Sequence, residues 1–258
     1  MSSNKQYWWS LAGVVAFLAV WEIGARISGS YLIFPGPVLV IRRFFALVQT
    51  GYFFRALGGS FLRVILGILL SAPLGVVVGI LAGLDKRVNA FLAPFFSVIS
   101  ATPVMSVILI AFLVFGSERT PVFTSFLMVF PVMAANTIAG VCSVDPKLRE
   151  LFILYGLSRE ETVRRLYIPA IMPFILGGMR SSISLCWKVV VASEVLVQPL
   201  LALGTGMQKA KAQLETPELF AWTMAAVIAA AFSEQVSSLI LPGKFRWKYR
   251  PGKKGRFR

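Results

Sequence analysis

Histidine is absent from this chain, and its two cysteines, Cys142 and Cys186, stand far apart. Neither a zinc site nor a histidine-based catalytic constellation can be assembled from that inventory, and both cysteines read as packing residues. No Gly-x-x-x-x-Gly-Lys-Ser/Thr run occurs, so the chain has no P-loop with which to cradle nucleotide phosphates. No metal or cofactor is expected on it, and an enzyme is the weakest reading because no nucleophile can be paired with a base. Charge is scarce as well: 14% of the residues are charged and 57% are hydrophobic, with a mean hydropathy of +0.77. That balance excludes a soluble domain and describes an integral membrane protein.

The apolar runs predict an all-α protein with six spans: Trp8 to Ile23, Phe61 to Leu81, Thr102 to Phe115, Val122 to Val141, Met172 to Val195 and Phe220 to Leu241. The third is short because Pro94 and Pro103 interrupt a longer run beginning near Val88. A helix broken at a proline can line a transport pathway, and a simple kink is the other reading. The first run contains Glu22 and is followed by Arg26 without a small-x-small cleavage pattern, so it is expected to remain as a span.

Basic residues orient the spans. With both termini inside, sixteen Lys and Arg fall on the cytoplasmic side and seven on the outer side, which favours cytoplasmic termini. The net charge of +15 concentrates in the tail GKFRWKYRPGKKGRFR, directly after the last span. Lipid headgroups are the nearer partner for such a tail, and no nucleic-acid partner is expected. The chain therefore divides into a six-span domain, 1–242, with a cytoplasmic loop at 143–170, and a basic tail, 243–258.

Ionisable residues at membrane depth are costly unless they face protein or water. Arg63 lies in the second span, Glu22 in the first, Glu234 in the last, and Arg180, Lys188 and Glu194 in the fifth. Arg180 is about eight residues, or roughly 12 Å, past the cytoplasmic edge, which strains snorkelling. Structural pairing is one reading of these groups, with Glu194 near the outer end. A proton path through Glu194 and Glu234, as in a secondary transporter, is the other. The second span and its inner end carry Gly67, Ser71, Gly75, Gly79 and Gly83 at four-residue spacing, a smooth face for close helix packing, within the subunit or at a dimer contact. Pro73 in the same helix invites a bend.

The stretch DPKLRELFILYGLSREETVRRLYIP, Asp145 to Pro169, is amphipathic in an otherwise apolar chain. Asp145 can cap a helix beginning at Pro146, with Leu148, Leu151, Phe152 and Tyr155 on one face. Gly156 stops it after Tyr155 and before Leu157. Ser158 and Glu161 form a capping box for a second helix with Val163, Leu166 and Tyr167 on its apolar side, and Pro169 is expected to close the unit. This is a folded cytoplasmic loop or a partner's docking site.

Spacing favours the second. Glu150, Leu151 and Phe152, then Gly156 after three residues, then Leu166, Tyr167, Ile168 and Pro169 after nine more, resemble the EAA loop of permease subunits of binding-protein-dependent ABC importers. That loop reads Glu-Ala-Ala, three residues, Gly, nine residues, Ile-x-Leu-Pro; here Leu151 and Phe152 replace the alanines. YLIFPGPVLV, with Pro35, Gly36 and Pro37, then Ser60, Phe61 and Arg63, and later Gly178-Met179-Arg180 through Trp187 to Glu194, resemble the nitrate, sulfonate and taurine branch. Gly36 replaces a serine of that branch, Gly204-Thr205-Gly206 is a looser match to its Gly-Leu-Gly, and Lys188 departs from its pattern. The resemblance runs from about Leu32 to Leu241.

The resemblance implies a type I ABC importer permease in a bacterial cytoplasmic membrane. It implies a homodimer served by two cytoplasmic ATPases, which hold the ATP and magnesium, and by an external or lipid-anchored substrate-binding protein. Glu150 to Pro169 would then couple to the ATPase. Pro35, Gly36, Pro37 and Gly204, Thr205, Gly206, Met207, Gln208 would meet the binding protein. Pro103, Ser106, Arg180, Ser181, Ser184, Lys188 and Glu194 would border the pathway of a small solute, a sulfonate-, nitrate- or taurine-like anion, to which Lys188 is suited, or a vitamin precursor. A proton-coupled transporter or the membrane scaffold of an energy-coupling complex are the alternatives.

Overall fold

The computed structural model describes residues 3–240, so the basic tail at 243–258 and the end of the sixth read span at Leu241 lie outside the described residues. In chain order the helices are α1 (Ser3–Ser28), α2 (Pro37–Val48), α3 (Gly51–Leu84), α4 (Lys86–Ala101), α5 (Val104–Cys142), α6 (Pro146–Leu154), α7 (Arg159–Thr162), a π-helical turn (Val163–Tyr167), α8 (Ile168–Val197), α9 (Leu203–Ala212) and α10 (Thr216–Ile240). No strand occurs among the described residues. Local chemistry sets several boundaries. Pro37 starts α2, where its missing N–H is not needed, and the Thr50 hydroxyl accepts the Phe53 N–H at the head of α3. Asp85 accepts the Arg87 N–H at 2.7 Å and so separates α3 from α4.

The small-residue stripe on α3 packs inside the subunit against the second half of α5. A Cβ at Gly75 would stand 2.6 Å from Met133 Cβ, one at Gly79 2.6 Å from Thr137 Cβ, and one at Gly83 2.6 Å from Val141 Cβ. Both partners advance together along the chain, so α3 and this half of α5 run parallel in close backbone contact, which is the arrangement a four-residue stripe permits. α8 packs antiparallel on the other side: Gly140 meets Phe174 and Ile171, and Gly178 meets Asn136. Met133, Val129, Val190, Trp187 and Cys186 fill the seam, and Phe53, Leu203 and Trp222 continue the core towards α9 and α10.

Parallel packing has a topological consequence. Because Gly83 lies beside Val141, the chain must travel back along the bundle between Leu84 and the start of the second half of α5. It does so through α4 and Val104–Phe115, and turns at Gly116, where φ is 69° and ψ is 179°. Only glycine holds that backbone without strain. Among the described residues five helices are long and apolar enough to cross a bilayer, and the third read span, from Val104 on, and the fourth fall together inside α5, on either side of Gly116. Pro94 sits within α4, while Pro103 caps α5, so the interrupted run is a real helix break at Thr102–Pro103.

The helices outrun the spans read from hydropathy. α3 begins ten residues before Phe61 and contains Gly51 to Ser60, and α8 extends past both Met172 and Val195. Hydropathy marks the apolar part of a helix, whereas capping decides where it ends. α1 lies on the outside of the bundle, with none of Leu11–Ser28 buried, and is tied in through the Trp21 indole donating to Pro35 O at 3.0 Å. Replacing Gly79 with leucine forces α3 and α5 apart. The expected loss is about 1–3 kcal/mol of stability, read as a lowered thermal unfolding midpoint of the full chain in lipid nanodiscs.

Candidate functional site

The loop at one end of the bundle is built by its caps. Asp145 Oδ1 accepts the Lys147 N–H at 2.9 Å to start α6. Gly156 ends it at φ 65°, and the Leu157 N–H reaches back to Phe152 O at 3.1 Å, the long bond of a Schellman motif. Ser158 Oγ accepts the Glu161 N–H at 3.2 Å, and a Glu161 carboxylate oxygen accepts the Ser158 N–H at 3.3 Å, completing the capping box. Glu161 also pairs with Arg165 at 3.4 Å.

Pro169 does not close this unit, contrary to the sequence expectation. The second helix passes through the π turn into α8, and Pro169 sits at its first positions. A proline inside a continuous α-helix clashes with the carbonyl four residues back, and the wider π turn at Val163–Tyr167 relaxes that clash. The apolar face of the loop is left open: Leu148, Leu151, Tyr155, Val163 and Ile168 are exposed, Tyr155 at 79%, while Phe152 and Leu157 are half-buried and Leu166 is buried. Glu150 and Ser158 are exposed beside them.

At the opposite end, three helices and a hairpin meet on charge. Glu194, fully buried near the end of α8, accepts the Ser60 hydroxyl at 2.7 Å, the Gly204 N–H at 3.2 Å and Arg63 Nη1 at 3.3 Å. The same Arg63 nitrogen donates to Leu201 O at 2.7 Å, and Nη2 pairs with Glu118 at 2.6 Å. Ser60 Oγ in turn accepts the Leu203 N–H at 2.9 Å, and the other Glu118 oxygen accepts the Leu200 N–H at 2.8 Å. A buried ion pair is tolerated only when its remaining polar groups are met, and here both Glu194 carboxylate oxygens and both terminal nitrogens of Arg63, Nη1 and Nη2, have partners. Glu194 is thus locked in a structural pairing.

This network missed one member in the sequence. Glu118 was not singled out, although Arg63 within a span required a countercharge and Glu118 stands at the edge of the neighbouring apolar runs. Glu22 instead pairs locally with Arg26 at 2.8 Å and approaches Gly36, whose Cβ position would be 3.0 Å from its carboxylate.

The residues expected to face a binding protein lie mostly inside. Pro35 and Pro37 are buried and Gly36 half-buried. Gly204, Thr205, Gly206 and Met207 are buried, and Gln208 is half-buried, because α9 is the plug over Glu194. A Cβ at Gly204 would strike Glu194 and one at Gly206 would strike Trp222, while the Thr205 hydroxyl donates to Pro199 O at 2.6 Å. The accessible surface at that end is instead Leu200, Leu201, Lys209 and Lys211.

The pathway candidates divide. Pro103, Ser106, Arg180, Ser181 and Lys188 are exposed on the single subunit, Ser184 is half-buried, and Glu194 is sealed in its ion pair. Ser184 and Lys188 line a cleft of about 550 Å³ between α8 and α10 with Trp187 and Glu234. A second cleft of about 660 Å³ opens beside Arg63, Glu118 and Arg119, between α3 and α5. Glu194 and Glu234 therefore belong to different surroundings, one saturated by donors and the other on a cleft wall.

Long apolar helices packed through glycine seams define a multi-span α-helical membrane protein. The chain belongs to the family of binding-protein-dependent transport system inner membrane components, whose model matches residues 75–241. It is 28% identical to a putative aliphatic sulfonates transport permease of Bacillus subtilis, over 95% of this chain and 90% of that one. It is 30% identical to a probable ABC transporter permease of Brucella melitensis, over 88% and 94%. A bicarbonate transport system permease of Synechococcus elongatus is 27% identical, over 75% and 73%. The fold is that of a chain in the crystal structure of a bacterial ABC transporter involved in alginate import, with a TM-score of 0.63 at 15% identity, covering 92% of this chain and 97% of that one.

Removing Glu194 leaves Arg63 buried without its deepest partner, whereas removing Glu118 opens a half-exposed contact. Glu194→Ala is expected to cost about 3–5 kcal/mol and Glu118→Ala about 1 kcal/mol or less, compared by unfolding of the two variants in nanodiscs.

Proposed function

We propose that this chain forms half of the translocation pathway of an ATP-driven importer. Two copies, each crossing the inner membrane six times with both termini in the cytoplasm, would receive solute from an external binding protein. Two separate ATPases would supply ATP, magnesium and the power stroke. The observation that carries this reading is the doubly capped helix, Gly156 turn and second helix of 145–168, with Leu148, Leu151 and Tyr155 left exposed. An apolar face held rigid by caps, beyond the ends of the spans, is suited to a groove on a partner protein. Glu150 would pair with a basic residue of that groove, and Gly156 would permit the turn. ATP-driven closure of the motors would then push on a helix continuous with α8.

The solute is a small anion in this reading. Two of the relatives are named as a putative aliphatic sulfonates permease and a bicarbonate permease, and Lys188 brings a positive charge to the wall of the α8–α10 cleft. A proton-relay mechanism is less well supported, because Glu194 is saturated by Ser60, Arg63 and Gly204.

Gly156→Val tests the coupling role, since a β-branched residue resists positive φ. In proteoliposomes with ATPase and binding protein, the variant should hydrolyse ATP while uptake drops about tenfold or more relative to hydrolysis; unchanged coupling would remove the role assigned to the loop. Lys188→Met should reduce anion uptake, with Lys188→Arg retaining it; equal uptake in both would show that Lys188 does not meet the solute.

A further inference from the structure

We propose that Arg63 and the Leu200 N–H form a seat for small oxyanions, and that the chain's own Glu118 carboxylate occupies it. The two Glu118 oxygens take one donor each, Arg63 Nη2 at 2.6 Å and the Leu200 N–H at 2.8 Å. This is the two-point recognition that a guanidinium and a backbone amide offer to any group with two oxygens on one central atom. Carboxylate, bicarbonate, nitrate and one edge of a sulfonate share that shape.

The seat does not depend on its occupant. Arg63 is held from the other side by Glu194 at 3.3 Å and Leu201 O at 2.7 Å. Pro199, next to Leu200, is tied down through its carbonyl by Thr205. The occupant, in contrast, is free to leave. The Glu118 side chain is 52% exposed, stands two residues after the Gly116 break, and lines the open cleft of about 660 Å³. Glu194 already balances the Arg63 charge, and Arg119 on the same cleft wall supplies a second positive charge once Glu118 swings out. Glu118 is then a tethered competitor: an arriving anion takes its two donors, and its release frees the tie between α5 and the hairpin after α8.

Which anion arrives in the cell rests on the importer reading, whereas the seat rests on the distances around Arg63. The full chain in nanodiscs is titrated with formate and with nitrate at constant ionic strength, chloride serving as the reference, and the thermal unfolding midpoint is followed. E118A should show a saturable rise with a half-saturating concentration about tenfold below that of the wild type, in which the resident carboxylate competes. Equal responses in E118A and wild type, or none beyond chloride, would overturn the seat. E118Q, which removes the charge and keeps the volume, must shift in the same direction as E118A, and no shift counts equally against the proposal. The double variant E118A/R119Q must keep the response, since its loss would put the anion on Arg119 and away from Arg63. An importer that fails to transport while E118A still responds would remove the importer reading and leave the seat standing.

Discussion

One guanidinium organises one end of this molecule. Arg63 sits in the wall of a long apolar helix, where an uncompensated charge is expensive, and the fold answers by bringing Glu194 from α8, Glu118 from α5 and two carbonyl and amide groups of the following hairpin to the same corner. Each of those partners is contributed by a different segment, so the requirement to neutralise one buried cation fixes the relative depth of all of them. Ser60, one turn before Arg63, repeats the device with a hydroxyl that gives to Glu194 and accepts from Leu203. The hairpin and α9 are held down by these bonds as well as by packing on Trp222.

The remaining contacts along the bundle are short-range and apolar. The glycines of α3 let its backbone lie against α5 in parallel register, which ordinary side chains would prevent. Parallel neighbours require a return segment, and the return here is broken at Pro103 and reversed at Gly116. The irregular backbone is thus placed within the return and at its far end rather than in the glycine seam, and the Gly116 reversal delivers Glu118 to Arg63. Seam, return and ion network are consequences of one another.

Much of this was legible in the residues, for reasons that can be named. Capping is local chemistry, so Asp145, Gly156 and the Ser158–Glu161 box were readable and appear in the structure as bonds. Four-residue spacing of small side chains revealed a packing face on α3, but only the structure identified α5 as its partner, because periodicity carries no information about what lies opposite. Pro169 was misread as a stop, since a π turn has no residue signature and it is the π turn that accommodates the proline. The family resemblance set Pro35–Pro37 and Gly204–Gln208 against a binding protein, and a resemblance in motif does not report burial. Here the glycines serve close approach to Glu194 and Trp222 instead. Glu118 escaped notice because its partner is 55 residues away in the chain, and no local pattern reports such a pair.

The continuity of the second loop helix with α8 carries a mechanical implication. Residues Glu160–Val197 form 38 residues of unbroken helix, a rod of about 57 Å. One end is the capped loop and the other holds Glu194. A rod of this kind transmits rotation as well as thrust, so twisting it at Glu161 by one residue's worth, about 100°, would swing Glu194 out of line with Arg63. Its phase is therefore constrained at both ends, and the π turn at Val163–Tyr167 is the place where the rod can gain or lose angle without breaking. The element that lets Pro169 pass into a helix also sets the torsional compliance between the two ends of the subunit.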